Sequence, residues 1–112
     1  MTKGTYLGEF EQLVLLAVIR LQGNAYGVTI RKEIEGRTGR LVTIGSVYAT
    51  LERVEQKGYV ASRISGSEPR PGGRWKKYFT LTAAGAAALK QARRFVARMA
   101  EGVNLDEELE AL

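Results

Sequence analysis

The stretch of sequence that decides the fold is TIGSVYATLERVEQK, residues 43–57. Its apolar side chains recur at helical spacing, at positions 44, 47, 48, 51 and 54. Thr43 is a favourable N-cap before the first of them, and Gly58 follows the last turn as a helix stop. We therefore predict an amphipathic helix between these two residues, with one apolar stripe directed into a core.

The face opposite this stripe is small and polar at its N-terminal end. It is formed by Ser46, Ala49, Thr50 and Arg53. Such a face fits the major groove of B-DNA, which is about 12 Å wide, and can offer hydrogen bonds to base edges. We predict DNA contacts by these four residues, with Arg53 reaching either a guanine or, because it comes late in the helix, a phosphate. An ordinary solvated helix surface is the alternative interpretation.

Two further helical segments precede this one. Residues 9–21, EFEQLVLLAVIRL, are apolar over most of the helix circumference, which predicts a helix buried on more than one side. Gly23 and Asn24 end it, because both residue types tolerate a left-handed backbone. A second helix is predicted from Tyr26 to about Thr38, with Gly39 as its stop.

After Gly58 the apolar period changes from that of a helix to that of a strand. Residues 60–65 and 74–80 alternate as strands do, and GSEPRPGG, residues 66–73, consists of turn formers. The sequence thus predicts a β-hairpin. Its bases are Arg70, Arg74, Lys76 and Lys77, opposed only by Glu68. We predict phosphate contacts for these bases, a solvated basic hairpin being the alternative.

A last helix is predicted from the N-cap Thr82 to about residue 101. Its apolar stripe consists of Leu89, Ala92, Val96, Met99 and Val103, with Ala88 and Phe95 beside it. A helix of this length cannot bury the whole stripe on so small a domain, so we expect it to pack on a second copy of the chain. The acidic residues 104–112 either extend this helix or fray from it.

Charge and composition narrow the function classes. The net charge is +5 at pH 7, and five of the twelve acids lie in residues 101–112, which contain no base. Residues 1–100 therefore carry seven acids against seventeen bases, a balance that suits a polyanion such as nucleic acid. Histidine and cysteine are absent, so we predict no enzyme, no metal site and no cofactor.

The sequence also bears on location. Its longest strictly apolar run, Leu13–Ile19, has seven residues, whereas a membrane-spanning helix needs about 20. The first residues lack the long apolar core of a secretory signal. We therefore expect a cytoplasmic protein with no membrane partner.

Four blocks of the chain carry a family likeness. They are LGEFEQLVLLAVIRL, NAYGVTIRKEIEGRTG, IGSVYATLERVEQKGYV and GGRWKKYFTLTAAG. In this order and spacing they resemble the PadR family of winged-helix transcriptional regulators, over residues 7–89. The resemblance implies a mostly α-helical α+β fold, a winged helix-turn-helix with a two-stranded β-hairpin wing. Residues 1–81 would form the DNA-binding domain and residues 82–112 a long C-terminal dimerisation helix with an acidic tail, in one compact unit.

The chain resembles the short subgroup of this family, in which the first and last helices build the dimer. That likeness implies a dimer core, or a cavity for a small hydrophobic effector, lined by Val14, Leu15, Leu89, Ala92, Phe95, Val96 and Met99. It also implies that Tyr48 approaches the DNA backbone, a place at the rim of the core being the alternative. We add Thr43 to the predicted DNA-binding set.

Two positions depart from the family pattern. Many members have proline where this chain has Ala49, which changes one contact and leaves the helix intact. Some short members stack flat aromatic ligands on a tryptophan of the last helix, whereas the single tryptophan here is Trp75, in the wing. That departure argues against ligand binding of this kind.

The function predicted from these features is a sequence-specific regulator of transcription. We expect a homodimeric repressor that binds double-stranded DNA at an inverted-repeat operator. One alternative is a sensor that holds a small hydrophobic effector between its subunits. Another is a winged-helix module for protein–protein contact without DNA binding.

Overall fold

Five helices and one two-stranded sheet make up the part of the chain that the computed structural model describes, residues 6–65 and 75–112. The elements are α1 (Glu9–Leu21), α2 (Gly27–Thr38), α3 (Ile44–Gln56), β1 (Val60–Ser65), β2 (Lys76–Leu81), α4 (Ala83–Ala100) and α5 (Leu105–Ala111). The predicted order of three helices, a hairpin and a long helix is confirmed. The predicted turn 66–73, with Arg70, and Arg74 after it lie outside the described residues.

Local signals set the ends of the first three helices. The N–H of Gly8 donates to Glu11 Oε1 at 2.8 Å, which satisfies one free amide at the start of α1. The backbone N–H of Ser46 donates to Thr43 Oγ1 at 3.1 Å, so the predicted cap of α3 is confirmed. Gly39, with φ of 72°, ends α2 in the left-handed conformation that favours glycine.

The core lies where α1, α2 and α3 meet. Its largest fully buried side chains are Leu15, Ile30, Leu51, Val14, Val47, Val54 and Thr50. The wing and α4 close it from the other side, because Phe79 and Leu89 are also buried there. The backbone N–H of Phe79 donates to the carbonyl of Ala25 at 2.8 Å, which ties β2 to the loop between α1 and α2.

The wing is antiparallel. Its register pairs Val60 with Leu81, Ser62 with Phe79 and Arg63 with Tyr78. Because neighbouring side chains on a strand point to opposite faces, Phe79 enters the core while Tyr78 stands on the outer face.

The start of α4 is anchored firmly to the end of α3. Thr82 Oγ1 donates to the carbonyl of Gly58 at 2.6 Å, and the Thr82 N–H donates to the carbonyl of Tyr59 at 3.0 Å. Gly85 lies so close to Tyr59 that a Cβ there would overlap its carbonyl oxygen. These contacts fix the position of the first turn of α4 against the core.

The remainder of α4 is packed far less. Of its 18 residues only Gly85 and Leu89 are buried, and every residue from 93 to 112 is exposed. The acidic tail neither extends α4 nor frays: Gly102, with φ of 78°, breaks the helix, and Asn104 caps a separate α5 of seven residues.

Three residues assigned to the subunit interface belong instead to the core of the single chain. Val14 and Leu15 are fully buried, and Leu89 is 5% exposed. The prediction for Val14 and Leu15 is wrong because α1 is apolar over most of its circumference, and its sequence does not say which face meets the chain's own core. Leu89 lies in the first two turns of α4, which are anchored on that core.

Candidate nucleic-acid interface

The outward face of α3 presents short side chains at its first turns. Ser46 and Ala49 are exposed, and so is the capping residue Thr43. Ser46 Oγ donates to the carbonyl of Thr43 at 2.8 Å, so its lone pairs remain available as acceptors. Thr43 Oγ1 accepts the cap hydrogen bond and keeps its own proton to donate. This end of α3 can therefore both donate to and accept from a base edge.

Thr50 does not belong to this face. It is 1% exposed, and its Oγ1 accepts from Arg53 Nη2 at 3.1 Å. At about 100° per residue, Thr50 lies only about 60° around the helix from Val47, the centre of the buried stripe. The prediction of a base contact by Thr50 is therefore wrong.

Arg53 is half exposed and is held from the side of α1. Its Nε lies 3.8 Å from Glu11 Oε2, in addition to the contact with Thr50. Lys57 Nζ reaches the same Glu11 oxygen at 2.8 Å. The carboxylate thus fixes the direction in which the guanidinium leaves α3.

Glu11 is nearly buried and still carries its charge. Burial raises the pKa of this carboxyl, but hydrogen bonds from Lys57 and from the Gly8 N–H, with the positive charges of Lys57 and Arg53, outweigh that effect. The net result is a pKa below the ordinary value. Glu11 is a structural residue of the site that sequence reasoning missed, since nothing in the periodicity distinguishes it from a surface acid.

Tyr48 lies at the junction of α2 and α3. It is 52% exposed, and its ring covers Gly27, the first residue of α2, so closely that a Cβ at Gly27 would overlap the ring. Its hydroxyl therefore stands beside the N-terminus of α2, where free backbone amides and the helix dipole favour a phosphate. The missed residue here is Gly27, whose role depends on a contact between two helices.

The two lysines of the wing point to opposite faces. Lys76 Nζ lies 4.7 Å from the centre of the Tyr26 ring, on the outer face. Lys77 Nζ lies 3.0 Å from Glu55 Oε1, on the face that meets α3. Glu55 also accepts a hydrogen bond from Ser62 Oγ, and these contacts, the Ser62 bond first and Lys77 second, lower the pKa of Glu55. The charge of Lys77 is thus partly neutralised within the chain.

A second base on the outer face of the wing was missed. Arg63 stacks over Tyr78, with its Cζ 4.7 Å from the ring centre, and Tyr78 meets Tyr26 edge to face at 5.3 Å. Together Tyr26, Arg63, Lys76 and Tyr78 form what we call the wing cluster. Strand alternation places Tyr78 on the outer face with Lys76, whereas the pairing of Arg63 with Tyr78 depends on the register of the hairpin, which the sequence does not fix.

An apolar surface lies on α4, away from α3. Phe95 is 44% exposed, Val96 63% and Met99 82%, with Ala92 half buried beside them. These four residues form the α4 apolar face. Phe95 also packs on Tyr6 with ring centres 5.9 Å apart, at the edge of a small cavity lined by Tyr6, Leu7, Gln12, Ala88, Gln91, Ala92, Phe95 and Val96.

The described part of the chain contains neither a membrane-spanning helix nor a cluster of metal-ligating side chains. No helix there is long and apolar enough to cross a bilayer. The same residues contain no group of acids that could hold a metal ion.

The chain is similar to known regulators. The model of the transcriptional regulator PadR-like family matches residues 15–91. A PadR family transcription regulator from hypervirulent Clostridium difficile is 27% identical, with a TM-score of 0.66 over 83% of this chain and 95% of that one. No curated protein matches the chain.

Two structures of lower sequence identity agree in fold. A PadR-like transcription factor from Bacteroides fragilis has a TM-score of 0.72 at 22% identity, over 85% of this chain and 86% of that one. A PadR family regulator from Eggerthella lenta has a TM-score of 0.67 at 23% identity, over 93% and 88% of the two chains.

Proposed function

Since the chain belongs to the PadR-like family of transcriptional regulators, we propose that it represses transcription as a homodimer bound to an inverted repeat in double-stranded DNA. Members of this family bind DNA and are not enzymes, in agreement with both predictions from the sequence. The site of action is the compartment that holds the DNA, so the expected cytoplasmic location is part of the proposal.

One observation carries this proposal: α3 buries its apolar stripe and leaves a small, polar face exposed. Val47, Leu51 and Val54 are each at most 1% exposed, whereas Ser46 and Ala49 stand on the surface. Gly45, Ser46 and Ala49 are small residues, so this face can enter a major groove about 12 Å wide, with the exposed Tyr48 at its edge.

The residues of α3 divide by their place along the helix. Ser46 and Ala49 lie in its first half, from which recognition helices contact base edges. Ser46 can accept a hydrogen bond, Thr43 can donate one, and the methyl group of Ala49 suits contact with a thymine methyl. Arg53 lies later and is oriented by Glu11, so we assign it to a phosphate at the edge of the groove.

The wing cluster and Tyr48 extend the contact to the DNA backbone. Arg63 and Lys76 keep their charges on the outer face, where their aromatic neighbours hold the long side chains in place. These bases carry no sequence information, and they supply the salt-dependent part of the affinity.

The α4 apolar face supplies the homodimer. Three exposed apolar residues, Phe95, Val96 and Met99, with the half-buried Ala92 beside them, form a surface that a second copy can cover. A two-fold dimer places its two α3 helices on half-sites separated by one helical turn, about 34–36 Å, or a multiple of it. The operator is then an inverted repeat.

Selection from a pool of random duplexes tests this proposal. We expect enrichment of an inverted repeat that binds the protein as a dimer, measured by fluorescence anisotropy at several salt concentrations. The control is the enriched duplex with one half-site scrambled, which should bind far more weakly. Indifference to double-stranded DNA at low ionic strength would overturn the proposal and favour the protein–protein module.

A second role, as a sensor of a small hydrophobic effector, is favoured by one observation. The cavity beside Tyr6 and Phe95 opens next to the α4 apolar face, so a ligand there would touch the subunit interface. Binding should change the operator affinity, which titration of aromatic compounds in the anisotropy assay measures. If no compound changes the operator affinity, the protein does not act as a sensor of this kind.

A further inference from the structure

A second apolar surface lies between α1 and α2, outside the DNA-facing side. Its floor is formed by Leu13, Leu16, Ala17, Ile19 and Ile34, and its edge by Arg20, Glu33, Arg37 and Thr38. We call this surface the α1–α2 groove. Ile19 is 44% exposed and adjoins Leu13 and Leu16, so the apolar surface here is a contiguous patch of the kind that marks an interaction site.

The edge of the groove has an excess of positive charge. Arg20 Nε and Arg37 Nε lie 3.0 and 2.9 Å from the same oxygen, Glu33 Oε2. One carboxylate thus serves two guanidinium groups, each with further N–H donors directed elsewhere. The groove therefore fits an occupant that is apolar on one side and acidic on the other.

Helix α5 has this character. Leu105, Leu109 and Leu112 follow at helical spacing and are 67%, 66% and 100% exposed. The remaining faces carry Asp106, Glu107, Glu108 and Glu110, with no base. A helix of seven residues is unstable in water without tertiary packing, so these leucines need a surface to cover them.

We propose that α5 of one protomer docks in the α1–α2 groove of a second copy of this chain. The leucines would cover the apolar floor while the acids meet Arg20 and Arg37. The lengths agree, since α5 spans about 10 Å and the groove runs along α1 from Leu13 to Arg20, also about 10 Å. This inference rests on the homodimer proposed above.

The chain's own groove is not occupied by its own α5. The leucines of α5 are exposed, and α4 runs about 27 Å from its anchor at Tyr59, which carries α5 beyond the edge of its own core. Exchange of α5 between two copies would leave each groove filled and each tail packed.

Another basic recess fits α5 less well. It lies beside Lys90 and Arg94 and is lined by Tyr59, Ala84, Ala87, Ala88 and Gln91. It offers no large aliphatic side chain to the leucines, whereas the α1–α2 groove offers four. The apolar match, together with the charge, selects the groove.

Cross-linking between single-cysteine variants tests the docking, because the chain has no cysteine of its own. A mixture of Ile19→Cys and Leu109→Cys proteins is treated with a short bis-maleimide, and mass spectrometry identifies the linked peptides. We expect a link between positions 19 and 109, which in this mixture joins two different chains. The matched control replaces Ile19→Cys by Leu41→Cys, which is 90% exposed but outside the groove and should give no link.

Sedimentation separates this inference from the proposed homodimer. Leu105→Asp with Leu109→Asp should weaken the dimer by at least about 100-fold, because both leucines are lost from two symmetric contacts. Leu41→Asp should leave the dimer unchanged. A native chain that stays monomeric overturns the homodimer as well, whereas a native dimer with no 19–109 link, or one insensitive to the α5 substitutions, overturns the docking alone.

Discussion

Helices α3 and α4 carry apolar stripes of similar composition, but the stripe of α3 is buried and most of the stripe of α4 is exposed. In α3 the stripe is sealed, with Val47, Leu51 and Val54 each at most 1% exposed. In α4 the stripe is sealed only at Leu89, while Val96 and Met99 are 63% and 82% exposed. The exposed face of α3 begins with small, polar side chains, whereas α4 exposes an apolar face beside a basic one.

This difference determines which surface of each helix remains available for contact with another molecule. Burying a large aliphatic side chain contributes about 1.5–3 kcal/mol, so α3 has already used its stripe to stabilise the chain. The stripe of α4 retains most of that free energy for association. In the proposed function the polar surface binds a nucleic acid and the apolar surface a second copy of the chain, although both helices belong to one small unit.

The largest expected effect is a difference in the free energy of unfolding between substitutions in the two stripes. Leu51→Ala should lower the free energy of unfolding by about 2–5 kcal/mol, because it leaves a cavity in the core. Met99→Ala, the matched substitution on α4, should change the unfolding of the monomer by less than about 0.5 kcal/mol. Urea denaturation at a dilution that separates the subunits measures both. Equal losses would mean that the two stripes do not differ in this way.

Next comes the effect on assembly. Val96→Asp with Met99→Asp should weaken the dimer about 100-fold, because each charge would be buried without a partner at the interface. Operator affinity should fall with it, since a monomer contacts one half-site only. Analytical ultracentrifugation and anisotropy follow the two losses, and Lys90→Asp with Arg98→Asp, on the basic side of α4, is the control. A variant that stays dimeric would place the interface elsewhere.

How far the sequence predicted this contrast depends on the helix. For α3 the cap Thr43 and the core positions Val47, Leu51 and Val54 followed from spacing alone. Thr50 was assigned to the wrong face. Its polar side chain suggested the exposed surface, but its position on the helix is next to the apolar stripe, where it is buried. For α1 the apolar residues cover most of the helix circumference, so spacing alone does not identify the face that meets the chain's own core, which is why Val14 and Leu15 were placed wrongly.

Other features depend on contacts between distant residues. The pairing of Glu11 with Lys57 joins the start of α1 to the end of α3, and no local pattern encodes it. The same holds for Gly27 beneath Tyr48. The opposite directions of Lys76 and Lys77, by contrast, follow from strand alternation.

The buried carboxylate offers a smaller effect, and one that depends on pH. Glu11→Gln keeps the acceptor for the Gly8 N–H and loses the charge that holds Lys57, which should cost about 1–3 kcal/mol near neutral pH. Because the pKa of Glu11 is lowered in the folded chain, its contribution is present above the ordinary value of 4.5 and is lost as the pH falls below it.

Denaturation of both proteins from neutral pH to about pH 3 shows whether their difference shrinks as expected. Glu9→Gln, which loses an exposed ion pair with Arg40, is the control and should matter by less than about 0.5 kcal/mol. A difference that stays constant with pH would mean that the charge of Glu11 does not anchor α3.

Arg53 tests the division of labour within α3. Arg53→Ala should weaken binding to the selected operator and to unrelated duplexes by the same factor, about tenfold, because a phosphate contact carries no sequence information. Anisotropy with both duplexes at one salt concentration makes the comparison. A loss confined to the operator would assign Arg53 to a base instead, and would extend the base-reading surface into the second half of the helix.

The smallest effect concerns the two neighbouring lysines of the wing. Lys76→Ala should flatten the dependence of log affinity on log salt by about 0.9 for each subunit, because Lys76 keeps its charge on the outer face. Lys77→Ala should change this slope much less, since Glu55 already neutralises Lys77 within the chain. Equal changes would show that Lys77 leaves Glu55 for a phosphate when DNA binds. The wing would then change its contacts on binding, while the polar face of α3 is already formed in the free chain.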